Sequence, residues 1–471
     1  MKRFFYFAVF ILAVVSAAQL NAQVSLLAVG SLTGSRAGSF QDLSGLTYPL
    51  ENGVRANELG GLGSAITYAG GNVFLALPDR GPNAVPFDSA IDDTVSYINR
   101  FHTISVDLKP NTSGTGLPFT LTPTLRETNL LWSFTPLVYG AGSGLGVGSG
   151  VPPLNNFFLH FFTGRSDGFD PNHNSGYPND ARFDTEGLRV SNDGRRVYIS
   201  DEYGPYVYEF DRLTGLRLRA FQLPESFSVT NLQPVGNSEI SGNTVGRTAN
   251  KGMEGLAITP DGRTLVGIMQ NALIQDASEG GAAKNLLRIV TIDIASGRTT
   301  HQYAYLLTTG SGVSEILALN NHEFLVDERD GHGRGDNGSK AKVKQIFKID
   351  LAGAVDISNM DGTEAATQAV SKSLFLDVVA ALTSAPYSLD PTLVPSKLEG
   401  ISFGPDVISG RTKIHTFWLA NDNDFLETVP DAAGNQVDNP NQFFVFGFTD
   451  SDLGGSKFQP QRVAPQKFAR W

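Results

Sequence analysis

Cysteine is absent from the 471 residues. That excludes disulfides, zinc ribbons, cysteine-ligated iron–sulfur clusters and a cysteine nucleophile. Positive charge is scarce: 36 Lys and Arg stand against 47 Asp and Glu, a formal charge of −11. This balance argues against a nucleic-acid binder, which normally presents a net basic face. Charged residues make up only 18% of the chain, below the ~25% of an average soluble domain. The 41% hydrophobic fraction is too high for a disordered chain. Glycine is abundant, with 51 residues.

The amino terminus reads as an export signal over residues 1–22. Lys2 and Arg3 supply positive charge, residues 4–18 form an uncharged, mostly apolar run, and small residues lead to cleavage at Ala22. These are the marks of a secretory signal peptide. A membrane anchor is the alternative, but the run is shorter than the ~20 residues of a spanning helix. No later segment is apolar for about 18 residues, so residues 23–471 are expected to form one domain without a membrane span, secreted or periplasmic and monomeric.

Five segments repeat one pattern. They start at Leu59-Gly60-Gly61-Leu62, Asp184-Thr185-Glu186-Gly187-Leu188, Met253-Glu254-Gly255-Leu256, Ser314-Glu315-Ile316-Leu317 and Leu398-Glu399-Gly400-Ile401. They end at Asp79-Arg80-Gly81, Asp201-Glu202-Tyr203-Gly204, Gln270-Asn271, Asp327-Glu328-Arg329-Asp330 and Asn421-Asp422-Asn423-Asp424. Between lie two apolar stretches and a turn such as Asn192-Asp193-Gly194 or Pro260-Asp261-Gly262. Asp-Gly between alternating apolar residues is a hairpin signal. Strand-like runs follow at residues 101–108, 206–211, 287–294, 345–351 and 443–448. Units of three or four antiparallel strands in series predict an all-β fold, a β-propeller. Five repeats are countable. The long interval between Gly61 and Glu186 leaves room for a sixth, so six blades are expected. Residues 25–31 are predicted to pair with the carboxy-terminal strands and close the ring. Residues 374–382 are the one convincing helix. A pair of β-sandwiches is the alternative architecture.

In a hairpin the start of one strand lies beside the end of the next. The repeated Glu and the terminal polar cluster of each unit are therefore expected on one rim, around the central channel. This gathers Glu186, Glu254, Glu315 and Glu399 with Asp79, Asp201, Asn271, Asp327 and Asn421. Carboxylates crowded in a partly dry channel repel one another and need neutralising. Oxygen-rich sites suit calcium, so Ca²⁺ is the expected cofactor, with these carboxylates and Asn421 as candidate ligands. Arg182, Lys251 and Lys397 precede motif glutamates, and Arg80 and Arg329 lie in the terminal clusters. These five are candidate contacts for an anionic substrate. The plainer reading is that the acidic residues cap loop amides and tie blades together.

Taken together, the five motifs resemble the phytase-like family, whose members are described as having esterase-like activity. The resemblance runs from about Gly60 to Asp424. It implies a secreted propeller and hydrolysis of phosphoesters or other esters. The first repeat departs from the rest, with Gly61 in place of a glutamate.

Other motifs are weaker. Gly-x-Ser-x-Gly occurs at Ser166, near His173, and at Ser402, but no helix follows either as a nucleophile elbow requires. His322-Glu323 lacks the second histidine of a zinc motif: Val326 stands there. Residues 140–150 read as a flexible glycine-rich loop. The loop of residues 330–338, with His332, is compatible with a metal, an anion or a plain long turn. Two functions remain. One is an exported hydrolase in which calcium polarises an ester of a small anionic or neutral substrate and Glu254 or Glu186 activates water. The other is a non-catalytic binding propeller with structural calcium.

Overall fold

A computed structural model describes residues 24–83, 94–140 and 150–464. The expected leader over residues 1–22 and residues 141–149 of the glycine-rich run lie outside them. Five antiparallel sheets of four main strands each are arranged as the blades of a propeller, the fifth with the short Val407–Ser409 added to it. Blade one comprises Ala65–Tyr68, Val73–Leu77, Arg100–Pro110 and Phe119–Leu130, from the axis outward. Blade two is Thr185–Val190, Arg196–Asp201, Val207–Asp211 and Arg217–Phe221. Blade three is Met253–Ile258, Thr264–Met269, Leu286–Asp293 and Arg298–Leu306. Blade four is Gly312–Ala318, Glu323–Arg329, Lys344–Asp350 and Lys372–Asp377. Blade five is Lys397–Phe403, Thr412–Asp422 and Gln442–Phe448, with Ser25–Ser31 as the outermost strand.

The expected closure is thus present: Ser25–Ser31 runs antiparallel to Gln442–Phe448. The expected sixth blade is not: among the described residues the blades number five. The interval once open to it holds the long outer hairpin of blade one and the connection into blade two. The helix expected over residues 374–382 is also shorter. Lys372–Asp377 is the edge strand of blade four, and Asp377 then caps the helix Val378–Thr383 by accepting from the Ala380 N–H.

The hairpins form where the sequence places them. In Asn192-Asp193-Gly194 the Gly194 N–H bonds the Ser191 carbonyl at 2.9 Å. Gly194 holds φ 73°, a left-handed conformation that glycine adopts without strain. Pro260-Asp261-Gly262 repeats the device below Thr259, with Gly262 at φ 74°.

Each blade packs its apolar faces against its two neighbours, and one apolar cluster fills each interface, with two smaller clusters under the loops. Leu77 and Phe101 meet Leu188 and Ile199 between blades one and two. Tyr198 and Phe221 meet Leu256 and Val290 between two and three. Ile268 and Ile289 meet Ile316 and Val326 between three and four. Leu325 and Ile346 meet Leu419 and Phe444 between four and five. Trp418 and Val445 meet Phe74 and Ile104 between five and one. Large aromatic and branched side chains buried at every junction supply the stability that a chain without disulfides needs.

The channel is blocked part-way down. Arg189 of blade two is fully buried and donates to the Ile66 carbonyl of blade one at 3.1 Å and the Ile316 carbonyl of blade four at 2.9 Å. It pairs with Glu315 of blade four at 3.0 Å, and Glu315 accepts the Leu256 N–H of blade three at 2.8 Å. One ion pair therefore joins four of the five blades. At the far end, Gln459 bonds the Leu319 carbonyl and Gln461 the Val190 carbonyl, so a segment of chain straps the ring from below. Among the described residues no helix is long and apolar enough to cross a membrane.

Candidate functional site

The open end of the channel is a cavity of about 90 Å³ lined by residues from all five blades. Blade one gives Ser64, Asp79 and Arg80. Blade two gives Glu186 and Glu202. Asn250, Glu254 and Gln270 come from blade three, Arg329 from blade four, and Lys397, Glu399 and Asp422 from blade five.

A β-bulge puts the innermost of these residues there. In blade three Met253 pairs with Met269 and Gly255 with Ile268, so Glu254 is left over. In blade five the same skip leaves Glu399, and in blade two it leaves Glu186 and Gly187. A bulged residue loses its ladder partner and its side chain is re-aimed; here it turns toward the axis. The glycine after each bulge is required by close approach. A Cβ on Gly255 would stand 2.8 Å from the Ile316 nitrogen, and one on Gly400 2.9 Å from the Gly63 carbonyl oxygen.

The register differs from the sequence alignment in two blades. In blade four Val313 pairs with Glu328 and Glu315 with Asp327, so the bulged residue is Ser314. Glu315 falls where blades two, three and five carry glycine. Its carboxylate crosses to the Leu256 and Ile316 N–H groups and to Arg189, and it does not line the cavity. In blade one Gly63 and Ala65 both bridge Leu77, leaving Ser64 rather than Gly61 at the equivalent place.

The second strand of each blade supplies the outer part of the lining, and here the expected residues stand beside the observed ones. Glu202, not Asp201, reaches the cavity; Asp201 instead accepts the Asp184, Tyr203 and Gly204 N–H groups. Gln270 lines it, while Asn271 bonds the Ser311 carbonyl. Asp422 lines it, while Asn421 holds Pro440 and Gln442. Arg329 lines it, while Asp327 is buried beside it. A strand alternates faces residue by residue, so a slip of one moves a side chain to the wrong side.

Of the expected anion contacts, Arg80, Arg329 and Lys397 are in the cavity; Lys251 and Arg182 are not among its lining. Arg182 is buried against Glu239 and the Ser166 carbonyl. Lys251 closes a turn onto the Thr248 carbonyl. Ser166 is engaged through its backbone by Thr94 and Arg182, and His173 bonds Asp170 and stacks on Tyr177. Ser402 lies mid-strand with its hydroxyl on the Phe403 carbonyl. Neither Gly-x-Ser-x-Gly is a nucleophile elbow. The loop at His332 is filled by its own bonds: His332 to Asp336 at 2.9 Å and Lys344 to Asp330 at 2.6 Å.

The cavity divides electrostatically. On the side of blades four and five each cation has a carboxylate: Arg329 pairs with Glu399, and Lys397 with Asp422 at 3.1 Å and with Asp424. On the side of blades two and three carboxylates crowd. Asp184, Glu186 and Glu202 bring one oxygen each within 4.8 Å of the others, and Arg80 pairs with Asp184 at 3.1 Å. Glu254 accepts from Gln270 at 2.8 Å through Oε1, while its Oε2 and the Oε1 of Glu202 are buried without a partner. Burial first, and Glu399 second, push Glu254 up to about 8. Burial and Glu254 hold Glu186 and Glu202 well above the usual carboxylate range. Burial and Asp422 do the same to Asp79. Burial lifts Asp422 to about 7 despite Lys397.

A five-bladed propeller with an acidic, oxygen-rich cavity on its axis is thus the class of molecule. The sequence matches the phytase-like family, described as esterase-like activity of phytase, over residues 57–425. The chain belongs to that family. An uncharacterized secreted protein of Arthroderma benhamiae is 34% identical over 180 residues, covering 32% of this chain and 35% of the relative. The match therefore spans about a third of that relative's length. Among solved structures, a luciferin-regenerating enzyme is 10% identical with a TM-score of 0.33, covering 86% of this chain and 96% of its own. A putative 6-phosphogluconolactonase from Bacteroides uniformis is 12% identical with a TM-score of 0.29, covering 80% and 86%. Similarity at that level carries no argument about this chain.

Proposed function

We propose that the protein is an exported hydrolase of phosphate esters or other esters, and that the axial cavity is its active site, loaded with calcium. The supporting observation is the crowd of carboxylates around so small a space, with buried oxygens of Glu202 and Glu254 left unpartnered. Membership of the phytase-like family and the relative's description as secreted agree with it.

The donor set fits calcium. It is all oxygen, anionic and close-packed, which suits a hard cation of six to eight oxygen ligands. Asp184, Glu186 and Glu202 would hold the ion, with Glu254 beside them. When bound, such an ion polarises a phosphoryl or carbonyl oxygen and offsets developing negative charge. Glu254 is the general base in this reading. Gln270 fixes one of its oxygens, and the other is open to take a proton from water as that water attacks the ester. Glu186 is the alternative base. Arg80, Arg329 and Lys397 would orient the anionic part of a substrate, exchanging carboxylate partners for it.

Those same pairings favour a second reading. Each of the three cations is matched to a carboxylate already, as expected of a binding propeller whose ion is structural. Purified protein assayed on phytate, p-nitrophenyl phosphate and p-nitrophenyl acetate, with calcium or chelator, separates the two. Calcium-dependent turnover supports the hydrolase. No turnover on any substrate, with a lower melting temperature in chelator, leaves the binding propeller.

A further inference from the structure

The connection from blade two to blade three, residues 222–252, is far longer than the two- to six-residue links usual between neighbouring elements. It carries one buried acid, Glu239. Burial pushes its carboxyl up, but Arg247 and Arg182 beside it outweigh that and hold it below the usual range. Both guanidinium groups are buried too. Glu239 Oε1 pairs with Arg247, and Oε2 takes Arg182 at 3.3 Å and the Gln233 N–H at 3.0 Å.

Each arm of this triad ends next to a residue of the acidic corner or the cavity lining. Arg182 precedes Asp184 by two positions; its guanidinium also bonds the Ser166 carbonyl and lies 4.9 Å over each of the Phe169 and Tyr203 rings. Arg247 donates to the Tyr203 carbonyl at 2.7 Å, one residue after Glu202. Three residues after Arg247, Asn250 holds φ 54° and accepts from Arg80 inside the cavity. Gly252 then lies against the Glu202 backbone so closely that a Cβ would stand 2.0 Å from its carbonyl oxygen. The three chain segments that deliver Asp184, Glu202 and Asn250 are thus linked at Glu239 from outside the cavity, as Arg80 links Asp184 and Asn250 within it.

We infer that Glu239 is a positioning residue: through Arg182 and Arg247 it holds the acidic corner of the cavity in shape without touching its contents. Outer groups that orient metal-binding carboxylates commonly carry tenfold to hundredfold effects on affinity. The first readout rests on the calcium reading above; the second does not.

The experiment is calorimetric titration of the whole protein with calcium chloride, for wild type, Glu239→Gln and Arg247→Met. The second variant leaves Glu239 paired with Arg182 and carries the test if the first does not fold. Calcium binding weaker by about tenfold or more in folded variants is expected; wild-type affinity in them overturns the inference. If the wild type takes up no calcium, the cation reading falls by itself. Amide exchange at Glu202, bonded to Asp184, and at Gln270, bonded to Gly252, then decides. Faster exchange at both in the variants upholds the positioning role, and unchanged rates overturn it.

Discussion

Glu254 and Glu315 sit one register step apart in adjacent blades; burial raises both, to about 8 and about 7, but their partners differ. Glu315 has two backbone N–H groups and an arginine. Glu254 has one amide side chain, like-charged neighbours and a bare oxygen. A motif glutamate on the bulge is thrown into the cavity; one residue later it is driven into the axis as a tie between blades. The same residue type in the same motif is a candidate reagent in one blade and a rivet in the next.

Substitution breaks or sharpens this contrast. Glu315→Gln leaves Arg189 buried and short of its partner, a change that costs about 3–5 kcal/mol. Glu254→Gln in chelated protein removes one of several repelling carboxylates and is expected to cost nothing or to stabilise. Denaturant midpoints of the two variants side by side check this, and equal losses would erase the distinction. In the hydrolysis assay Glu254→Gln should slow turnover about 10²–10⁴-fold, the usual share of a general base. Full activity would strike Glu254 from the site.

The pH dependence follows from the raised carboxyls. Glu254, near 8, and Asp422, near 7, bind protons in the folded chain that the unfolded chain has released. The stability these two groups contribute is therefore fully present below the ordinary carboxylate range and is lost as pH rises toward 8. Melting temperatures of chelated protein should drop across that window, and calcium should flatten the drop. A melting temperature that rises with pH in chelator would contradict the buried cluster. The smallest effect belongs to Lys251→Ala: outside the cavity, it should change stability by no more than about 0.5 kcal/mol and leave turnover unchanged.

The sequence carried the blades well, because Asp-Gly turns and alternating apolar runs are local signals. It carried the axis less well. The repeat pattern points to Asp201, Asn271 and Asn421, whereas Glu202, Gln270 and Asp422 line the cavity, since pairing register depends on bulges that leave no local mark in sequence. Ser64 and Ser314 were invisible as replacements for glutamate. Arg189 had a signal that pattern reading could have used: an arginine inside an otherwise apolar central strand needs a buried partner. The expectation of six blades rather than five has another source, a long outer hairpin that mimics the length of a blade.

Blade five is sewn from the two extremes of the described chain. Its hydrogen bonds between Ser25–Ser31 and Gln442–Phe448 are among the most distant in sequence that the molecule makes. Such a contact pays the full entropy of loop closure before it repays anything. During synthesis the ring has no way to shut until Gln442–Phe448 has emerged, so the first strand made waits for the last blade strand to find its place.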